Sequence, residues 1–195
     1  MSKRLVLAST SRYRRELLQR LGLPFDAAAP GTDESTLAGE APPTRAARLA
    51  AAKADAVAAQ FPDAWVIGSD QVASCCGPHG VVVLDKPGTE ERWASQLALL
   101  SGHSAEFHTA VALVGPGGRF SHVDRTVVGF RAFSSEEARR YMAREPALDC
   151  AGGFKAEGAG VSLMERLTSE DPTAIIGLPL IWLCGALRTA GFSLP

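Results

Sequence analysis

Cysteine is scarce and poorly spaced for bonding in this chain. Cys75, Cys76, Cys150 and Cys184 are the only four, none forms a C-x-x-C pair, and the adjacent Cys75 and Cys76 suit neither an ordinary disulfide nor a zinc site. Reduced thiols and a cytoplasmic setting are the expectation. Long apolar runs are missing too. The longest, "GLPLIWLCGAL" from Gly177 to Leu187, contains a proline and falls short of the roughly 20 residues that cross a bilayer. After Lys3 and Arg4 only Leu5 to Ala8 are apolar, less than the roughly 7 residues of a secretory h-region, so neither a signal peptide nor membrane association is predicted. Neither sign of charge dominates: 20 Lys and Arg against 21 Asp and Glu leave no global field to draw in a nucleic acid or an anionic membrane. Several motifs are absent as well. No G-x-x-x-x-G-K-[ST], G-x-G-x-x-G after a strand or G-x-S-x-G occurs, and His79, His103, His108 and His122 lack H-E-x-x-H spacing. A P-loop NTPase, a dinucleotide-binding enzyme, a serine hydrolase and a zinc protease are thereby disfavoured.

What is present is an ordinary globular composition, 46% hydrophobic and 21% charged over 195 residues. A chain of this length buries roughly 70% of its unfolded surface. "RLVLA" predicts a strand, and "STSRYRRELLQRLG" a helix with Ser9, Thr10 or Ser11 as N-cap and Gly22 as its stop. "PFDAAAP" reads as a second strand and "GTDESTLAGEAPPT" as a polar loop. "RAARLAAAKADAVAAQF" is an alanine-rich helix ending before Pro62. "WVIGSDQVA" is a third strand, followed by a Gly-Pro-His-Gly turn, "VVVLDKPG", and a helix in "TEERWASQLALLSG" capped by Thr89. A long hairpin around "GPGG", a capped helix in "SSEEARRYMARE", a strand in "VSLMERL" and a last helix from about Pro179 to Ala190 complete the chain. Helices and strands intermix throughout, which predicts an α/β fold around a mixed, twisted sheet flanked by helices. It forms a single domain, 1–195, with a division into two lobes near residue 115.

Asp70 ends the apolar part of "WVIGSDQVA", where open α/β sheets place ligands; a turn aspartate capping backbone N–H groups is the equal alternative. Glu34, after Thr32 and Asp33, adds an acidic group, and carboxylates converging on one crevice suit a hard divalent cation, although an acidic loop is commonly solvated surface. "STSRYRR" sets hydroxyls and Arg12, Arg14 and Arg15 at a helix N-terminus, a cradle for phosphate unless the arginines only face solvent. Lys53 lies four residues from both Leu49 and Val57, on the apolar stripe, where it snorkels or reaches a ligand. Lys86 in "LDKPG" and Lys155 in "GGFKAEG" complete the basic set.

Six ordered stretches, "LASTSRYRRELL", "DE", "GSDQV", "KPG", "CAGGFKAEG" and "DPTAIIGLPL", together resemble the Maf family of nucleotide pyrophosphatases. The resemblance implies a Maf/inosine-triphosphatase-like, two-lobed architecture with a central cleft. It also implies hydrolysis of a nucleoside triphosphate to the monophosphate and diphosphate with Mg²⁺ or Mn²⁺. "SDQ" and "FKAEG" are similar to the branch acting on 7-methyl-GTP; the sister branch, acting on dTTP, UTP or CTP, usually carries "ADT". By motif, Asp70 would be the proton acceptor and a metal ligand with Glu34. Tyr13, Gln71 and Glu157 would set base specificity, and Ser9, Arg14, Lys53, Lys86 and Lys155 would line the phosphates. A cationic methylated base would suit an aromatic face at Tyr13 and an acid at Glu157. A small-molecule nucleotide and a homodimer are the implied partners. The alternative from another class is a nucleotide-binding regulator of cell division, since the family's name comes from septum formation. Three departures from the family pattern stand out: Asp85 before Lys86, Arg12 before Tyr13, and "SCCGPHGVVV" in place of an acidic hairpin.

Overall fold

A computed structural model describes residues 3–77 and 80–195. Pro78 and His79, the centre of the expected Gly-Pro-His-Gly turn, lie outside the described residues. The strands are β1 (Arg4–Ala8), β2 (Asp26–Ala28), β3 (Ala64–Gly77), β4 (Gly80–Leu84), β5 (Ser104–Gly115), β6 (Gly118–Phe130) and β7 (Met164–Thr168). The helices are α1 (Arg12–Gln19), α2 (Pro42–Ala58), α3 (Glu90–Leu100), α4 (Ser135–Arg144) and α5 (Leu180–Thr189). All seven strands share one sheet in the order β2-β1-β3-β5-β6-β7, with β4 on β3. The sheet is mixed: β1 is parallel to β2 and β3, while β4 is antiparallel to β3 and β7 to β6.

The local signals explain most elements. Ser11 caps α1 by accepting from the Arg14 N–H, Thr89 caps α3, and Ser134 and Glu137 close a capping box on α4. Gly22 and Gly102, just past α1 and α3, have φ of 67° and 73°, the left-handed backbone of a helix stop. Two boundaries differ from expectation. α2 starts at Pro42, because proline fits the first helical turn, where an N–H would lack a partner anyway. "VSLMERL" is a strand only from Met164, since Ala159–Leu163 winds into a 3-10 turn.

The chain forms two compact units. The first holds the residues up to Gln71, Thr109–Asp124 and those from Asp171 onward; the second holds Val72–His108 and Arg125–Glu170. No single division falls near residue 115. The long strands β3, β5 and β6 each pass from one unit into the other, which makes both units discontinuous in sequence.

In the first unit β3 is buried on both faces. Ala64 and Val66 pack with Val6, Ala8 and Val57 on the α2 side. Trp65 and Ile67 join Leu5, Leu17, Leu18, Leu183 and Leu187, between the sheet and helices α1 and α5. In the second unit Trp93 meets Tyr141 edge-on, and Phe154 packs against both Phe107 and Phe130. The Trp93 indole N–H donates to the Gly153 carbonyl over 2.7 Å.

Candidate active site

The site begins with a missing side chain. A Cβ on Gly68 would stand 2.2 Å from the Ala50 carbonyl oxygen and 2.5 Å from the Ala54 nitrogen, so α2 lies directly on β3 there. Side chains alternate along a strand, so Asp70 shares the face of Gly68. On the facing side of α2, Lys53 lies between Ala50 and Ala54. The contact follows: the Lys53 ammonium donates to Asp70 Oδ1 over 2.6 Å and lies 2.7 Å from Glu34 Oε1. Lys53 is 5% exposed and Asp70 7%, whereas the Glu34 side chain is half exposed. Asp33 stays out of the cluster, since its carboxylate accepts from the Ser35 N–H and hydroxyl in a local turn.

Asp70 is neither a turn cap nor the end of its strand. β3 runs on to Gly77 because Ala73–Gly77 pairs with β4. Asp70 still lies beyond the carboxyl end of β1, whose pairing with β3 stops at Ala8 opposite Gly68. An open α/β sheet leaves its ligand crevice at such a place.

Gln71 points to the other face of β3. Its Nε2 lies 2.9 Å from Thr109 Oγ1 and 3.0 Å from each of the carbonyl oxygens of Ala174 and Ile175. Thr109 in turn donates to the Ala174 carbonyl over 2.9 Å. Ser69, one residue earlier, has the carbonyls of Ala110 and Gly177 within 2.8 and 2.9 Å of its hydroxyl. Arg14 donates through Nε to the same Gly177 carbonyl over 2.8 Å. Burial pulls its guanidinium below the ordinary value, and the charges of Asp70 and Glu34 oppose that shift; an arginine remains protonated in any case.

The segment Asp171–Gly177 is thus a hub of main-chain acceptors, and its own shape is fixed by capping. Asp171 accepts from the Thr173 and Ile181 N–H groups, and the Thr173 hydroxyl accepts from Leu180 N–H at the start of α5. Ser69, Thr109, Asp171 and Thr173 hold this network together, and sequence reasoning passed them over. A polar Thr109 inside the apolar strand "HTAVALV" and the cap-like "DPT" ahead of an apolar helix were the available signals.

Ser9 is buried directly after β1, and its hydroxyl accepts from the Ser11 N–H over 3.1 Å. Tyr13 is half-buried and already has a cation on it: the Arg12 guanidinium carbon lies 4.7 Å from the ring centroid, and Arg12 Nη2 donates to the phenol oxygen over 2.7 Å. Arg12 is thus engaged with Tyr13.

Three of the expected residues belong to the second unit. Lys155 is 5% exposed, and its ammonium lies 3.3 Å from Glu145 Oε1. The other oxygen of Glu145 accepts from the Ala159 N–H over 2.9 Å. That backbone donor, together with Lys155, holds the Glu145 carboxyl below its ordinary range. Lys86 and Glu157 are exposed. Among the described residues no group of three or more His, Cys, Asp or Glu side chains could hold a metal ion.

The chain is thus a mixed α/β protein with a buried cluster of one lysine and two carboxylates beyond the end of a parallel strand pair. Residues 4–190 match the family described as "Maf-like protein", and the chain belongs to the Maf family. A protein of Xanthomonas axonopodis pv. citri is 55% identical over 192 residues, 98% of this chain and 99% of its own, and is described as a 7-methyl-GTP pyrophosphatase. Relatives with the same description from Aromatoleum aromaticum and Albidiferax ferrireducens are 49% and 47% identical, each over 98% of this chain and over 98% and 95% of their own lengths. Among solved structures, the Ham1 protein of Staphylococcus aureus matches with a TM-score of 0.44 and 18% identity, over 66% of this chain and 71% of that one.

Proposed function

We propose that the protein hydrolyses 7-methyl-GTP to 7-methyl-GMP and diphosphate, removing a modified nucleotide from the cytoplasmic pool. Two supports carry the reading: full-length relatives described by that activity, and the Glu34–Lys53–Asp70 cluster beyond the carboxyl end of β1. In this reading Asp70 takes the proton of the attacking water. The water oxygen bonds to the α-phosphorus, the bond to the bridging oxygen breaks, and diphosphate leaves with the electron pair. The paired, buried Lys53 orients Asp70 and brings positive charge to the triphosphate, and Arg14, fixed by the Gly177 carbonyl, adds a second cation. Ser9 lies between β1 and α1, at a helix start that favours anions.

A divalent ion fits the donor set in one limited form. Glu34 and Asp70 converge on the same ammonium, and Mg²⁺ characteristically binds through one or two carboxylates with substrate phosphates filling further positions. Those two residues would hold it, and bound there it would supply neutralising charge for the triphosphate. Tyr13, Gln71 and Glu157 are the proposed readers of the base, and Lys86 and Lys155 further phosphate contacts. The four free cysteines suit a reducing compartment.

The test is product identity. The protein should release diphosphate and not orthophosphate from 7-methyl-GTP, and Asp70→Asn should lower kcat by roughly 10²- to 10⁴-fold, the usual worth of a positioned base, while the circular dichroism spectrum stays unchanged. Orthophosphate as the product, or full activity in the variant, refutes the reading.

A further inference from the structure

The Gln71 amide is held in one orientation, and the orientation decides what it can read. Three oxygens converge on one end of the amide at 2.9 to 3.0 Å. Two are backbone carbonyls, which only accept. The third, Thr109 Oγ1, gives its hydrogen to the Ala174 carbonyl, so towards Gln71 it also only accepts. The NH₂ group, with two hydrogens to share among these three acceptors, is the end of the amide that fits here. Turned over, the amide would press its oxygen against three acceptors and leave its donors elsewhere, so the arrangement excludes the flipped form. The opposite end is Oε1, which accepts no hydrogen bond among the described residues and is not a buried unsatisfied atom.

We propose that Gln71 reads the base as a hydrogen-bond acceptor, favouring bases that present an N–H at the recognised edge, with Thr109 and the Ala174 and Ile175 carbonyls as its positioning groups. The proposal rests on the reading of Gln71 as a base-contacting residue. A guanine presents N1–H and its exocyclic amine as donors; a purine whose N1 is a bare lone pair faces Oε1 with an acceptor. Thr109 is fully buried, so its part is to hold the amide and not to touch the substrate.

The experiment compares inosine triphosphate, which carries N1–H, with purine riboside triphosphate, which has no N–H on its base. Measured on the intact protein, Gln71→Met should lower the ratio of kcat/KM for the first over the second by roughly three- to tenfold, the worth of one neutral hydrogen bond. Thr109→Val should shift the ratio in the same direction by a smaller factor, and Thr109→Ser, which restores the hydroxyl, should return it. A shift of the ratio in the opposite direction in Gln71→Met keeps Gln71 on the base but overturns the acceptor assignment. An unchanged ratio in Gln71→Met overturns both the base contact and the proposal. If the ratio falls in Gln71→Met but Thr109→Val scales both substrates equally, Thr109 is only a packing residue and its positioning role is overturned.

Discussion

At the scale of single residues, the buried charge of Lys53 is matched by two carboxylates. Lys53 reads from the sequence as a basic residue on an apolar stripe, and it is buried as that spacing implies; its two carboxylate partners come from a loop and a strand, 19 and 17 residues away in sequence. Periodicity marks the lysine but cannot say which acids meet it. Tyr13 teaches the converse. The family resemblance implies a platform for a cationic base at this ring, but the guanidinium of its own neighbour resting on it was not legible, because that contact depends on a rotamer and not on spacing. A consequence can be measured. An exposed cation–π contact is worth about 0.5 to 1 kcal/mol, so freeing the ring in Arg12→Ala should raise kcat/KM for 7-methyl-GTP relative to GTP by roughly two- to fivefold, read from parallel steady-state assays. No change in that ratio would remove the Tyr13 ring from base recognition.

At the scale of elements, the close approach of α2 to β3 is what delivers Lys53 to Asp70, and Gly68 permits it. Gly68→Ala should force the helix away from the strand at a cost of about 1 to 3 kcal/mol or more, seen as a lower urea midpoint together with loss of diphosphate release. Capped helix starts, glycine stops and the "GPGG" hairpin were plain in the sequence because each depends on a few adjacent residues. The extension of β3 beyond Ala73 to Gly77 was not, because it depends on pairing with β4. The link between Glu145, at the end of α4, and Lys155 is of the same non-local kind. Its effect has a sign. The fold holds the Glu145 carboxyl below the ordinary value of about 4.3, so on acidification the unfolded chain binds this proton first. The contribution is complete above that ordinary value and fades as pH falls through the lower folded one. Urea midpoints measured across this acid range should therefore fall less steeply for Glu145→Gln than for the unaltered chain.

At the scale of the whole molecule, the α/β class and its mixed sheet follow from the intermixed helix and strand signals, whereas the order of the strands and the division of the chain depend on contacts between distant segments. Residue 115 ends β5, whereas the chain changes unit at 71, 108 and 124, inside β3, β5 and β6, and at 170, after β7. The core of the first unit joins Leu5, Leu17 and Trp65 to Leu178, Leu183 and Leu187 from the far end of the chain. Pieces 1–115 and 116–195, expressed separately, should each lack cooperative thermal unfolding, as followed by circular dichroism. The Asp171–Gly177 segment carries a different lesson. Ser69, Gln71, Thr109 and Arg14 all rest on its carbonyl oxygens, and a carbonyl is the same atom whatever side chain it accompanies. Away from Asp171, Thr173 and Gly177, whose caps and positive φ set the shape, alleles that exchange one side chain for another of similar size leave the acceptors in place, whereas loss of a single codon moves them all at once. At those remaining positions selection therefore acts on the length of the stretch more than on its letters.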